Sequence, residues 1–132
     1  MPVTYGFTLA ERLKRERHIE ALFQSGKAFS VFPLRVVWLL VPRGDGETSP
    51  ARAGFSASKK KFKRAHDRNR LKRLMREAWR LYKAELYAHI PADKQLHIFW
   101  LFTGPELVPY LTVEAALIKA LDRLSKEIIP VA

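Results

Sequence analysis

Cysteine is absent from the 132 residues. That removes disulfides, thiol chemistry and every zinc site built on thiolates. The four histidines, His18, His66, His89 and His97, are scattered without metal-like spacing, so no metal is assigned to the protein. No run approaches the roughly 18 apolar residues of a membrane span. The first residues also lack a basic stretch followed by an apolar one. The expectation is a soluble cytoplasmic protein without a membrane partner. Paired acids are missing too: Asp67 stands among arginines, and Asp45 and Glu47 fall in a loop. Water activation needs a histidine pair or a carboxylate cluster holding metal, so no catalytic residue is assigned to the chain.

What is present is an apolar inventory and a surplus of base. Hydrophobic residues make up 48% of a 15.3 kDa chain, enough for one domain over residues 1–132 with a single core. Lys and Arg number 24 against 13 Asp and Glu, a net charge of +11. Position matters more than the total. Residues 59–80 hold eleven bases and two acids, whereas residues 1–58 hold eight and five, and residues 81–132 hold five and six. Two acids cannot pair with eleven bases, so a solvated, ion-paired helix face does not explain the segment. A polyanion does, because each phosphate neutralised releases condensed counterions.

Along the chain, residues 10–25 repeat Leu13, Ile19, Leu22 and Phe23 at helical spacing, and Gly26 follows as a C-cap. Residues 34–41, LRVVWLLV, read as a strand ended by Pro42, and residues 43–51 as an exposed loop. Residues 52–58 alternate, with Ala53, Phe55 and Ala57 on one face. The small residues of the opposite face permit close approach of another element. A long helix follows from Asp67, its N-cap or first-turn acid, to about Ala88. The nearly all-apolar LHIFWLF (96–102) suits a sheet interior. Thr112 caps a last helix whose charges nearly cancel. The order is that of an α/β (α+β) sandwich with helices packed on a small sheet.

At about 100° per residue, the central helix separates two surfaces. Leu71, Leu74, Met75, Ala78, Leu81 and Tyr82 share one arc, while Arg68, Lys72, Arg73, Arg76, Arg80 and Lys83 fill the other. Arg70 lies outside the basic arc, near the apolar edge. Arginine predominates, and its planar fork suits paired phosphate oxygens. Electrostatics does not separate DNA from RNA. The lack of zinc-finger ligands, a heptad zipper or a short two-helix turn favours RNA, and no DNA partner is expected. Asn69 serves equally as a local cap or an RNA contact. Most aromatics are core candidates. Phe23, on a helix bearing Arg12, Lys14, Arg15 and Arg17, is either core or a stacking surface for a single-stranded base.

The stretch FSASKKKFKRAHDRNRLKRLMREAWR (55–80), with ERLKRERHIEALFQSGKAF (11–29), resembles the signature of the protein subunit of bacterial ribonuclease P. The resemblance implies an αβββαβα order, a small mixed sheet and a left-handed crossover around the basic helix. General rules would favour a right-handed connection, so handedness comes from the resemblance alone. It also implies a division of labour in which a large RNA carries the catalytic centre and holds magnesium. The protein, one per RNA and inactive alone, assists 5′-leader removal by binding that RNA and the leader of precursor tRNA. The implied RNA-binding set is Lys59, Lys60, Lys61, Lys63, Arg64, Arg68, Asn69, Arg70, Lys72, Arg73, Arg76 and Arg80. The implied leader groove comprises Ile19, Phe23, Lys72 and Arg76, with Ile19 standing where many members have an aromatic. Phe62 replaces a glycine common in the family's linker, and Trp38 lies on a strand whose register the resemblance leaves open. Both are open between packing and RNA contact. The alternative reading is a non-enzymatic RNA-binding or ribosome-associated protein.

Overall fold

The second strand carries apolar side chains on both faces: Leu34, Val36 and Trp38 on one, Val37 and Leu39 on the other. Such a strand belongs inside a sheet covered on both sides. The computed structural model, which describes residues 6–128, places it there. The elements in order are α1 (Glu16–Ser25), β1 (Lys27–Val31), β2 (Leu34–Pro42), β3 (Ala51–Ala57), α2 (Ala65–His89), β4 (Lys94–Phe102) and α3 (Tyr110–Ile128). This is the αβββαβα order. The mixed sheet runs β1-β2-β4-β3, with β3 parallel to β4 and the other pairs antiparallel. The parallel pair is joined by α2, the crossover that parallel strands require.

Alternation assigns the two faces. Val36 opposite Trp100 and Trp38 opposite Ile98 point into the main core, against Leu71, Met75 and Trp79 of α2 and Leu117 and Leu124 of α3. Val37 opposite Phe99 points the other way, into a smaller cluster with Leu13 and Leu22 beneath α1. Trp38 and Phe62 therefore pack. Trp38 lies in the main core under the Lys27 ammonium, and Phe62 sets its ring edge-on to Phe102.

Several sequence expectations shift. The helix expected over residues 10–25 starts at Glu16, after a short 3-10 turn at Leu9–Glu11. Between them Arg12 and Leu13 are extended, and the Leu13 N–H donates to Ala53 O at 3.0 Å. Pairing with the edge of β3 outweighs local helical periodicity there. Helix α3 starts two residues before Thr112, which therefore lies in its first turn and is not its cap. Asp67 lies in the first turn of α2, whose N-cap is Arg64. The edge strand β1, five residues long, carries too short a pattern to be read locally.

The 43–51 connection is exposed at its tip but not throughout. Glu47 takes the Arg52 guanidinium at 2.7 Å, Ser49 is buried, and Ala51 already belongs to β3.

Candidate nucleic-acid interface

Helix α2 is fixed to the core by Leu71, Met75, Ala78, Trp79 and Leu86, all buried. This stripe is turned toward Trp79 and Leu86 relative to the expected one, leaving Tyr82 exposed. One residue changes role altogether. Lys83, placed by its position in the basic arc, is 1% exposed, with its ammonium on the Glu11 carboxylate and Gly6 O. The Tyr87 hydroxyl donates to the same Glu11 Oε2 at 2.6 Å, and the Phe7 and Tyr87 rings flank the ammonium. Burial pushes the Glu11 pKa up, but Lys83 and Tyr87 outweigh it and hold the carboxyl below its usual range. Helical spacing could not reveal this pair, because the acid lies 72 residues away.

The other cations and their polar neighbours sort into three groups. His66, Asn69, Arg70, Lys72, Arg73 and Arg76 surround one open depression on the first half of α2. Arg70 thus joins the basic face despite its place near the apolar edge, and His66 is a member the sequence reading missed. Its position four residues before Arg70 was the available signal. A second group supports the preceding loop. Arg68 donates to Phe62 O at 2.7 Å and Lys63 O at 2.9 Å, and Lys61 donates to Thr103 O at 2.7 Å. Lys59, Lys60, Lys63 and Arg64 are exposed around that loop. In the third group is Arg80, whose guanidinium meets Glu77 Oε1 at 2.6 Å.

Lys72 and Arg76 also line a neighbouring depression with Arg12, Lys14, Leu13 and Phe55. The Arg76 guanidinium lies 5.9 Å from the Phe55 ring centre. Leu13 connects this region to the cluster beneath α1, where Ile19 is half-buried against the sheet. Phe23 is 47% exposed and sets its ring edge-on to Phe99, with centres 5.4 Å apart. The close approach that alternation in β3 anticipated is that of the Phe99 ring over Gly54. A Cβ on Gly54 would lie 2.6 Å from the ring. The structure thus places Phe23 and Ile19 on α1, and Lys72 and Arg76 on α2 beside the Arg12–Lys14 segment.

The face suits phosphate. It does not suit a divalent cation, which takes oxygen ligands, mainly carboxylates and carbonyls. Around the His66–Arg76 depression stand an imidazole, an amide, three guanidiniums and an ammonium, with no carboxylate among them. Guanidinium and ammonium groups held on a rigid helix of an α+β fold that also carries the exposed Phe23 ring on α1 define an α+β nucleic-acid-binding protein.

Comparison with known proteins narrows the class. Residues 7–125 match the family model described as Ribonuclease P. A ribonuclease P protein component from Porphyromonas gingivalis is 40% identical over 131 residues, covering 94% of this chain and 90% of the relative. One from Histophilus somni is 39% identical over 88 residues, covering 64% and 66%. Among solved structures, the RNase P protein of Thermotoga maritima aligns with a TM-score of 0.65 at 28% identity, over 86% of this chain and 96% of that one. The Staphylococcus aureus RNase P protein shares the fold, with a TM-score of 0.65 at 21% identity over 91% and 98%. The chain belongs to the ribonuclease P protein family. Its partner is accordingly an RNA, and its role is that of the subunit that assists the RNA in tRNA processing. The ribosome-associated alternative is not favoured. Among the described residues no helix is long and apolar enough to cross a membrane.

Proposed function

We propose that the protein assembles one-to-one with a ribonuclease P RNA in the cytoplasm and helps it remove 5′ leaders from precursor tRNA. The RNA carries the catalytic centre and the magnesium ions, and the protein alone is inactive. The observation that carries this reading is the one-sided construction of α2. Its packed side holds the helix rigid, and Arg70, Lys72, Arg73 and Arg76 face outward over one depression, where they bind phosphates of the RNA. The leader follows the α1 side of the sheet, where the exposed Phe23 ring offers a base its face, with Ile19 giving apolar contact. Lys72 and Arg76 hold its backbone where it passes toward α2.

Reconstitution tests the proposal. The protein is mixed with a ribonuclease P RNA and a precursor tRNA at low magnesium, where the RNA alone is slow. Leader removal should accelerate with protein, and protein without RNA should give no product. Specific cleavage by rigorously RNA-free protein would overturn the assignment of catalysis to the RNA.

A further inference from the structure

Two residues along β4 from Phe99, a second cavity opens at the start of α1, and the function above leaves it unused. Its walls include Arg15, Arg17 and His18 at the start of α1, Leu39 and Val41 of β2, and His97 of β4. His97 is only 4% exposed, and its hydrogen bonding identifies its tautomer. Gln95 Nε2 donates to Ser49 O at 3.1 Å and to Glu47 Oε2 at 3.2 Å. Both partners are acceptors, so the amide cannot be turned round. Gln95 Oε1 therefore faces His97 Nε2, 2.9 Å away, and that nitrogen must carry the proton.

Burial, then the neighbouring His18 and Arg52, push the His97 pKa down to about 4 against the opposing pull of Glu47, so the ring is neutral near pH 7. Nδ1 is then a bare acceptor without a hydrogen-bond partner among the described residues. It belongs to a residue of the cavity wall, where a donor entering the cavity can pair with it. The remaining walls say what kind of molecule fits. The His18 ring lies 5.0 Å from the His97 ring at 39°, and Leu39 and Val41 extend this apolar surface. Arg15 and Arg17 are exposed and have no ion-pair partner among the described residues. The nearby Glu47 carboxylate is already engaged by Arg52 at 2.7 Å, and Asp45 is exposed at the cavity wall.

We propose that this cavity takes one unstacked nucleotide of an RNA strand. Its base lies against His18 and the apolar wall and donates an N–H to His97 Nδ1, while Arg15 and Arg17 hold its phosphate. The inference rests on the RNA-subunit reading above and adds a second contact to it, separate from Phe23 and from α2. The nucleotide comes from the RNA partner or from the far part of the leader, and the chemistry is the same for both.

Because the chain has no cysteine, Ala21→Cys, on the cavity wall, gives a single thiol that can carry an azidophenacyl photocrosslinker. The labelled protein is assembled with ribonuclease P RNA and precursor tRNA, with Lys119→Cys on α3 as the control. An adduct at an unpaired nucleotide, above the control, is expected; its position in the RNA subunit or in the leader identifies the source. In parallel, Arg15→Ala with Arg17→Ala, and separately His97→Phe, should weaken affinity for the crosslinked strand about tenfold. The arginine pair is exposed, so that variant keeps the test valid if His97→Phe fails to fold. Loss of RNA-dependent cleavage by the unmodified chain would remove the subunit reading itself. Intact cleavage with no adduct above the control and unchanged affinity in the arginine variant would overturn the nucleotide cavity alone.

Discussion

The two halves of α2 carry the same kinds of residue and put them to different uses. In the first half, His66, Arg70, Lys72, Arg73 and Arg76 stand around an open depression. In the second, Arg80 meets Glu77 and Lys83 is sealed beneath Glu11, Phe7 and Tyr87. A cation is available to a partner only when neither burial nor a neighbouring acid has claimed it. The count of eleven bases in residues 59–80 overstates the interface for this reason, and Lys83, just beyond, would overstate it further.

Substitution at Lys83 should divide the halves most sharply. Lys83→Ala leaves the Glu11 carboxylate buried without its ammonium and should destabilise the fold by about 3–5 kcal/mol. Arg73→Ala, in the first half, should shift stability by no more than about 0.5 kcal/mol. Denaturant midpoints of the two variants measure the contrast, and equal midpoints would erase it.

Acid titration offers the next largest difference. The folded pKa of Glu11 is depressed, so the unfolded chain takes up this proton first as pH falls. The stabilisation is complete above the ordinary value of 4.5 and disappears as pH falls through the lower folded value. Stability should therefore decline below about pH 4.5 in the parent, with this part of the decline missing in Lys83→Ala. An identical acid limb in both proteins would remove the ion pair from the explanation.

Exposed groups should affect binding without affecting folding. Phe23→Ala should weaken precursor tRNA binding by the holoenzyme by about 1–3 kcal/mol while leaving mature tRNA unaffected, because only the precursor carries a leader to stack on the ring. A reduced denaturation midpoint with unchanged discrimination would make Phe23 a packing residue. Arg73→Ala should lower the log–log salt slope of RNA binding by about 0.9, the value for one lost contact to a duplex phosphate. Arg80→Ala should change that slope least, since its guanidinium is shared with Glu77. Equal changes at Arg73 and Arg80 would show that the Glu77 pair opens on binding.

Much of this was legible in one dimension because it depends on local pattern. The strands around LRVVWLLV and LHIFWLF, the alternation of Ala53, Phe55 and Ala57, and the amphipathic α2 were readable from side-chain period, which survives in the linear order. So was the basic face of α2, since Lys72, Arg73 and Arg76 lie within one another's helical reach. The start of α1 was not legible: Arg12 and Leu13 fit a helix and are extended only because the edge of β3 is there to pair with them.

By itself, the sequence determined the order of the three helices and of β2, β3 and β4, much of the core and the place of the cationic surplus, all of which follow from spacing and type of residue. Tertiary structure alone decided which cations remain available. It buried Lys83 against Glu11, joined His66 and Arg70 to the basic face, packed Trp38 and Phe62 and left Phe23 in solvent. It also set His18 against His97 and turned the Gln95 amide. The physical reason is distance: desolvation and hydrogen bonding act over a few ångströms in space, between residues that the chain holds tens of positions apart.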